Sequence, residues 1–224
     1  MKKEIELKYL LESKKDFEHL KHFLSQYLTG SIGLYRQENF YFDTPALALR
    51  QKGVSLRLRK ENYHYKLSAK FSLGKKDPKE NLSVRLEFEA PLEAEIAKLI
   101  KAELISPIDV FMTLPTATKE ERATQISLHR YMTKAAQTGL QMVGSFRNLR
   151  TKLPIDLMAT AIEVEFDHST FPKCIEFFEI EVEFDSKKQA AYLKKPLENL
   201  LEEAGIQPKA SSSKSSRLFK LLYG

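Results

Sequence analysis

EIELK, residues 4 to 8, places Glu4, Glu6 and Lys8 at every second position. Side chains alternate in direction along a β-strand, so the three charges fall on one face and Ile5, Leu7 and Tyr9 on the other. At about 3.3 Å per residue the two carboxylates sit roughly 7 Å apart on that face. Like charges held so close repel unless something cationic lies between them. Read as a strand, the segment needs a cation on one side and apolar cover on the other.

The same alternation recurs along the chain. One face of each run carries Arg57 and Arg59 in SLRLR, Lys66, Ser68 and Lys70 in YKLSAK, and Arg85, Glu87 and Glu89 in VRLEFE. Further on, Glu163, Glu165 and Asp167 share a face in IEVEFD, and Glu179, Glu181 and Glu183 in FEIEVE. The opposite faces are apolar: Leu56, Leu58, Leu86, Phe88, Ile180, Val182 and Phe184. About eight strands result, mostly joined by short turns, which favours antiparallel pairing. Two architectures satisfy this pattern. In a two-layer α+β protein the polar sheet face is solvated and Glu pairs with Lys or Arg across strands. In a closed barrel coated by helices the charges point inward and line the interior. Acidic residues repeat on some strands and basic residues on others, which fits metal ions and phosphates better than mixed surface pairs.

Helices can supply the cover. SKKDFEHLKHFLSQYL reads as a helix capped by Ser13 and Asp16, with Phe17, Leu20, Leu24 and Tyr27 as its apolar stripe and Gly30 and Gly33 as its end. Ser186 caps a second, with Leu193, Leu197, Leu200 and Leu201 inward and Gly205 as the stop. QENFYF reads as a strand, DTP as a turn at Pro45, and LGKKDPKEN as a polar loop. Between them, PLEAEIAKLIKAEL looks helical, TKEERATQ reads as a short helix, and ISLHRYMT fits a strand or a helix. GLQMVGSFRNLRTKLPI alternates again. Ser211 to Ser216, apart from the Ser-Lys pair, read as a flexible basic tail.

The 224 residues are read as one domain, 1–224, and 42% hydrophobic content supports a core. No run of 18 apolar residues predicts a membrane span, and MKKEIELKYL lacks the apolar stretch of a signal peptide. Cys174 is the only cysteine, so no internal disulfide or cysteine-rich zinc site is available, and a cytoplasmic protein is expected. The five histidines show no ligand spacing, and GxxxxGK[ST], HExxH and CxxC are all missing. Net charge of +6 allows nucleic acid, an anionic membrane surface or a small polyanion as partner.

EIELK together with YFDTP, GVSLRLRK, LSAK, RLEFEA, IEVEFD, EIEVE and SKSSR, in that order, resembles the CYTH family, also called triphosphate tunnel metalloenzymes. Residues 91–140 take no part in the resemblance. It implies an α+β fold built on a closed, eight-stranded antiparallel barrel with helices outside and a tunnel for a triphosphate and Mg²⁺ or Mn²⁺. By the same resemblance the metal is held among Glu4, Glu6, Glu87, Glu89, Glu165, Glu181 and Glu183. The phosphate ligands are Lys8, Arg57, Arg59, Lys66, Lys70, Arg85 and Arg150, with Lys214 and Arg217 folding back to close the mouth. Glu4, Glu6, Lys8 and Asp167 form the implied catalytic set, Asp167 as a metal ligand or a base that positions water. Arg147 and Arg150 differ in strand parity, so only one points inward, and Lys66 is either a phosphate ligand or a rim lysine. Glu163 and Glu179, at strand starts, are as consistent with solvated positions. The expected activity is metal-dependent triphosphate hydrolysis; the alternatives are a class IV adenylyl cyclase and a non-enzymatic polyanion- or nucleic-acid-binding module. Carboxylates on the same strands disfavour nucleic acid. The expected partner is a small triphosphate, with no membrane and with a homodimer allowed.

Overall fold

The computed structural model describes residues 3–73, 82–207 and 209–224, so nearly all of the polar loop read at 73–81 lies outside the described residues. Eight strands form the body: β1 (Lys3–Leu11), β2 (Gly33–Asp43), β3 (Val54–Glu61), β4 (His64–Ser72), β5 (Leu82–Leu92), β6 (Gln141–Leu157), β7 (Thr160–Phe171) and β8 (Ile175–Glu183). They are ordered β5-β4-β3-β2-β6-β7-β8-β1, and β1 pairs again with β5, which closes the sheet into a barrel. Every pairing is antiparallel. A two-residue strand, β9 (Lys209–Ala210), adds to β1 at Tyr9 and Leu10. Closure removes the unpaired edges that an open sheet of this length would expose.

The inward face carries the charges and the outward face the hydrophobic residues. Two apolar clusters coat the outside. Helices α1 (Lys14–Leu24) and α6 (Lys187–Glu203) bury Phe17, Leu20, Leu193 and Leu197 against Leu7, Val164, Ile180 and Val182. On the other side, α2 (Ala48–Gln51), α3 (Ala94–Lys101), α4 (Pro107–Thr113) and α5 (Lys119–Ala135) cover Leu56, Leu58, Leu67, Leu86 and Phe88. Segment 91–140 thus supplies wall cover. The last helix, α7 (Lys214–Tyr223), has its own cluster with Tyr41, Phe146 and Phe171.

Local sequence sets these elements. Ser13 Oγ accepts the Asp16 amide at 3.1 Å, and Ser186 Oγ accepts that of Gln189 at 3.1 Å, which are the two expected N-caps. Gly205 ends α6 at φ +72°, a left-handed conformation that glycine adopts without penalty. Helix α1 stops at Leu24, short of Gly30, and a 3₁₀ turn (Ser25–Tyr27) leaves Tyr27 on the surface. ISLHRYMT is helical, joined to TKEERATQ in α5, because Thr124, Leu128 and Met132 recur every four residues on a buried stripe. The serine-rich tail is ordered from Lys214 onward: Ser213 Oγ accepts the Ser216 amide at 3.1 Å and starts α7.

Asp43 of the DTP stretch performs a purely structural task. Its Oδ1 accepts the amides of Thr44 (2.7 Å) and Leu49 (2.8 Å), and its Oδ2 that of Arg50 (2.9 Å). Three donors on one buried carboxylate fix the turn from β2 into α2, including Leu47 at φ +56°.

Candidate functional site

The barrel encloses a cavity of about 670 Å³ lined by charged residues from seven of its strands and by the first turn of α7. One end is blocked. Tyr41, Val143, Phe146 and Phe171 lie near strand termini that share an end, and Leu218 and Phe219 of α7 pack on them. Gly144 allows the close approach: a Cβ there would lie 2.6 Å from Leu222 Cδ1 and 3.2 Å from Leu218 Cδ2. At the opposite end the rim includes Tyr35, Glu61, Lys66, Lys152 and Glu183.

Glu4, Glu6 and Lys8 all point inward and are buried, so the carboxylates of EIELK do face one another's charge. Cations of the chain itself partly answer them. Lys8 Nζ lies 2.5 Å from Glu181 Oε1 and 3.0 Å from Glu6 Oε2, Lys70 binds Glu4, and Arg85 binds Glu6. Burial would raise the Glu4 carboxyl, but Lys70, Arg85 and Lys8 hold it well below the usual carboxylate range. The compensation is incomplete. Glu4 Oε2 is buried without a hydrogen bond, and Arg85 Nε stands 3.6 Å from it. Carboxylate oxygens of Glu4, Glu6 and Glu183 lie within 4.8 Å of one another. Burial, then the charges of Glu4 and Glu165, push Glu183 up to about 7. Glu87, 3.1 Å from Lys70, is also raised, first by burial and then by Glu4 and Glu89. This side of the cavity is short of positive charge.

The facing wall has the opposite imbalance. Arg57 and Arg59, inward on β3, are buried and flank each other along the strand. Arg57 pairs with Glu89 at 3.1 Å and with Ser68 Oγ at 3.1 Å; Arg59 donates to Asn39 Oδ1 at 2.9 Å, and its nearest carboxylate, Glu61, is 3.9 Å away. Burial, then the charges of Arg57 and Arg150, hold the Arg59 guanidinium below its ordinary value. Burial would raise Glu89, but Arg57, Arg59 and Lys66 bring it down to about 2. Lys66 sits at the rim, 2.7 Å from Glu61 and 3.5 Å from Glu89. Arg59 is a buried cation without a close anion.

A second carboxylate cluster, Glu165, Asp167 and Glu181, also has oxygens within 4.8 Å of one another, but the chain's own cations fill it. Arg150 donates Nε to Asp167 Oδ1 at 2.8 Å and Nη2 to Asp167 Oδ2 at 2.6 Å and Glu181 Oε2 at 2.9 Å, while Nη1 abuts Glu165. Lys214 adds contacts of 2.6 Å to both Asp167 and Glu181. Asn148 Nδ2 supplies Asp167 with a further bond of 2.7 Å and ties it to Gln37. Burial would raise Asp167, but Arg150 and Lys214 keep it well below the usual range.

Most of the residues singled out by sequence therefore meet in one barrel interior; Arg217, expected at the mouth, instead bonds Glu179 and does not line the cavity. Arg150 is inward and Arg147 exposed, which resolves the parity question between them. The seven carboxylates implied as metal ligands divide three ways. Glu4, Glu6 and Glu183 share one point, Glu165 and Glu181 stand with Asp167, and Glu87 and Glu89 lie along β5 against Lys70 and Arg57. Glu163 is exposed and pairs with Lys152 at 2.6 Å. Glu179, which shares the face of Glu181 and Glu183 and for which sequence left a solvated position open, is fully buried against Lys214 and Arg217. Asn39, Asn148, Gln37 and Tyr41 were not singled out, since neutral side chains on alternating runs carry no charge pattern.

Comparison with known proteins agrees with this geometry. The family model described as CYTH domain matches residues 2–216. No curated protein matches the chain. Among solved structures, HpAC1 from Hippeastrum, a candidate adenylyl cyclase reported to have a dominant triphosphatase activity, is 25% identical with a TM-score of 0.72, covering 97% of this chain and 95% of that one. A candidate adenylate cyclase from Bacillus halodurans is 23% identical over 98% of this chain and 100% of that one, at a TM-score of 0.62. A Pyrococcus horikoshii protein is 18% identical over 97% and 99%, at 0.59. The last two share the fold.

Proposed function

The chain belongs to the CYTH domain family, and from that premise we propose that it hydrolyses a triphosphate within the barrel, with Mg²⁺ or Mn²⁺ bound beside it. One observation carries the reading. A single cavity sets a carboxylate cluster short of cations opposite a wall where one buried arginine, Arg59, lacks a close anion. A metal–triphosphate complex supplies both missing charges at once. Neither a free cation nor a free polyanion does.

Glu4, Glu6 and Glu183 would hold the metal. Their donor set, carboxylate oxygens alone with one buried oxygen unpartnered, suits a hard divalent ion. When bound, such an ion neutralises charge on phosphate oxygens and lowers the barrier to their displacement. The remaining work falls to the chain. Phosphoryl transfer depends on positioning and electrostatic stabilisation more than on covalent chemistry. Arg57 and Arg59 on one wall and Arg150 on the next present planar forks to non-bridging oxygens, and Lys8, Lys70, Arg85 and Lys214 surround them as further charges. Apart from Arg59, which Asn39 holds, each of these cations already has a close carboxylate neighbour, so it is held in place before substrate enters. Asp167 accepts from Arg150 with both oxygens and from Asn148 besides, and its acidity is strong; it serves to aim Arg150 rather than to take a proton. Ser213, Lys214 and Ser215 bring the N-terminus of α7 to the cavity wall, where its free amides favour an anion.

Among the described residues the lining is mainly charged and hydroxylic, and its aromatics are already packed: Tyr35 sets its ring over Gly33, 5.6 Å from Lys152 Nζ, and Phe184 and Tyr41 belong to apolar clusters. Inorganic tripolyphosphate therefore fits the cavity better than ATP. The dominant triphosphatase activity of the Hippeastrum protein supports hydrolysis over cyclisation. The test is phosphate release from tripolyphosphate beside cyclic AMP formation from ATP, in Mg²⁺ and Mn²⁺ separately. Hydrolysis with little cyclic AMP is expected. Cyclic AMP as the main product with tripolyphosphate inert would replace the hydrolase by a cyclase, and tight binding of polyanions without turnover would leave a binding module.

A further inference from the structure

Glu179 differs from the other inward carboxylates. It belongs to neither carboxylate cluster and does not line the cavity, yet it is fully buried. Among the described residues its basic and hydroxyl donors come from residues 211–217. Lys214 Nζ binds Oε1, while Arg217 and Ser211 bind Oε2, the latter at 3.0 Å. Arg217 also donates to Ser211 Oγ at 2.7 Å, so Glu179 ties Ser211, Lys214 and Arg217 together, while Asp167 and Glu181, each 2.6 Å from Lys214 Nζ, also meet the ammonium. Lys214, unlike Glu179, does reach the cavity. Two cations one helical turn apart repel each other, and a buried carboxylate between them converts that repulsion into a fixed position.

The rest of α7 has separate support. Leu218 and Phe219 sit in an apolar cluster, Arg50 stacks on Phe219 at 4.8 Å, and Tyr223 Oη donates to Val143 O at 2.8 Å. The helix therefore docks through its C-terminal half whether or not its first turn is seated. We propose that Glu179 is a positioning residue: it seats the first turn of α7 so that the Lys214 ammonium is held at the cavity wall, and it acts on the bound triphosphate only through Lys214. This inference rests on the triphosphate reading above.

The test uses the full chain and three variants, Glu179→Gln, Lys214→Met and the double substitution. Loss of a charge-assisted contact of this kind should weaken tripolyphosphate binding, measured by calorimetry, by about tenfold in Glu179→Gln. Under turnover the loss should fall on KM more than on kcat, with the Mg²⁺ requirement unchanged. The double variant should bind no worse than Lys214→Met alone, because groups acting through one another are not additive. Additive losses, or a raised Mg²⁺ requirement in Glu179→Gln, would overturn the proposal; the second result would make Glu179 a metal ligand. Amide hydrogen exchange of the ligand-free chain gives an independent reading. Residues 214–217 should exchange about tenfold faster in Glu179→Gln while 218–223 change little, and unchanged exchange throughout would also overturn the proposal. A wild-type chain that neither binds nor cleaves tripolyphosphate would refute the functional reading, and the exchange comparison would still decide whether Glu179 seats the turn.

Discussion

Arg59 shows at the scale of one side chain what the barrel interior is built to do. It is buried, its nearest carboxylate is 3.9 Å away, and Arg57 and Arg150 act against its charge. A group that is unfavourable in the empty protein becomes favourable only when an anion arrives. Arg59→Met should therefore leave the thermal midpoint of the ligand-free chain unchanged or raised, since a buried charge is replaced by an apolar side chain of similar length. The same variant should lose about 10²–10³-fold in turnover, the range found when a preorganised donor is removed. A clear drop in the ligand-free midpoint would mean that Arg59 is structural. Glu4→Gln and Glu6→Gln act from the other wall. Each removes one negative charge from the cation-deficient cluster, so turnover should fall sharply and recover in part at high metal concentration. Full activity of both at limiting Mg²⁺ would remove them from the metal site.

At the scale of elements, the separation between site and scaffold is visible in the turn after β2. Asp43 carries a charge in a stretch where charges elsewhere line the cavity, but its oxygens hold the amides of Thr44, Leu49 and Arg50. Asp43→Ala should cost about 2–3 kcal/mol, the usual loss when buried donors keep no acceptor. Chemical denaturation would measure it. Because Asp43 is not part of the cavity lining, tripolyphosphate affinity of the folded fraction should stay within a factor of about three, an effect at the level of ordinary non-contacting substitutions. A large affinity loss with no stability loss would reverse that assignment. Helix α5 makes a related point. ISLHRYMT fitted two secondary structures until its neighbours were known, and the barrel wall it covers selected the helix through Leu128 and Met132.

For the whole molecule, the charged interior links stability to ligands and to pH. Tripolyphosphate and metal at 100 times the dissociation constant should add about 2.7 kcal/mol and raise the thermal midpoint, with a chelator reversing the metal's share. No shift at saturation would contradict a site inside the barrel. Acid should act through the paired carboxylates. Glu89 is held down at about 2, and Glu4, Asp167 and Glu181 lie below the ordinary carboxylate range. A carboxylate whose folded pKa is depressed adds stability above its unfolded pKa and loses it as pH falls through the folded one. The ligand-free chain should thus keep this contribution near neutrality and lose it progressively from about pH 4 down toward 2. A midpoint unchanged over that interval in a thermal scan would show that the pairs carry no net stability. Among the described residues no helix is long and apolar enough to cross a membrane.

Much of this was decided by sequence alone. Strict alternation in EIELK, SLRLR, YKLSAK and EIEVE assigned each charge to a face, because the side-chain period of a strand is two and needs no tertiary context. The same periodicity separated apolar from polar faces, and capping serines marked helix starts. Which charges meet was decided by the tertiary structure. Closing β1 on β5 brings Glu4 opposite Arg85, residues 81 positions apart, and places Glu183 with Glu4 and Glu6 from the far end of the chain. Parity says which way a side chain points and nothing of its partner across the barrel. For that reason sequence put Glu4 and Glu6 first among seven candidate metal ligands but did not say which of the other five meets them. Only the fold set three of them around one point short of positive charge, gave others to Arg150 and Lys214, and buried Glu179 behind the lysine it holds.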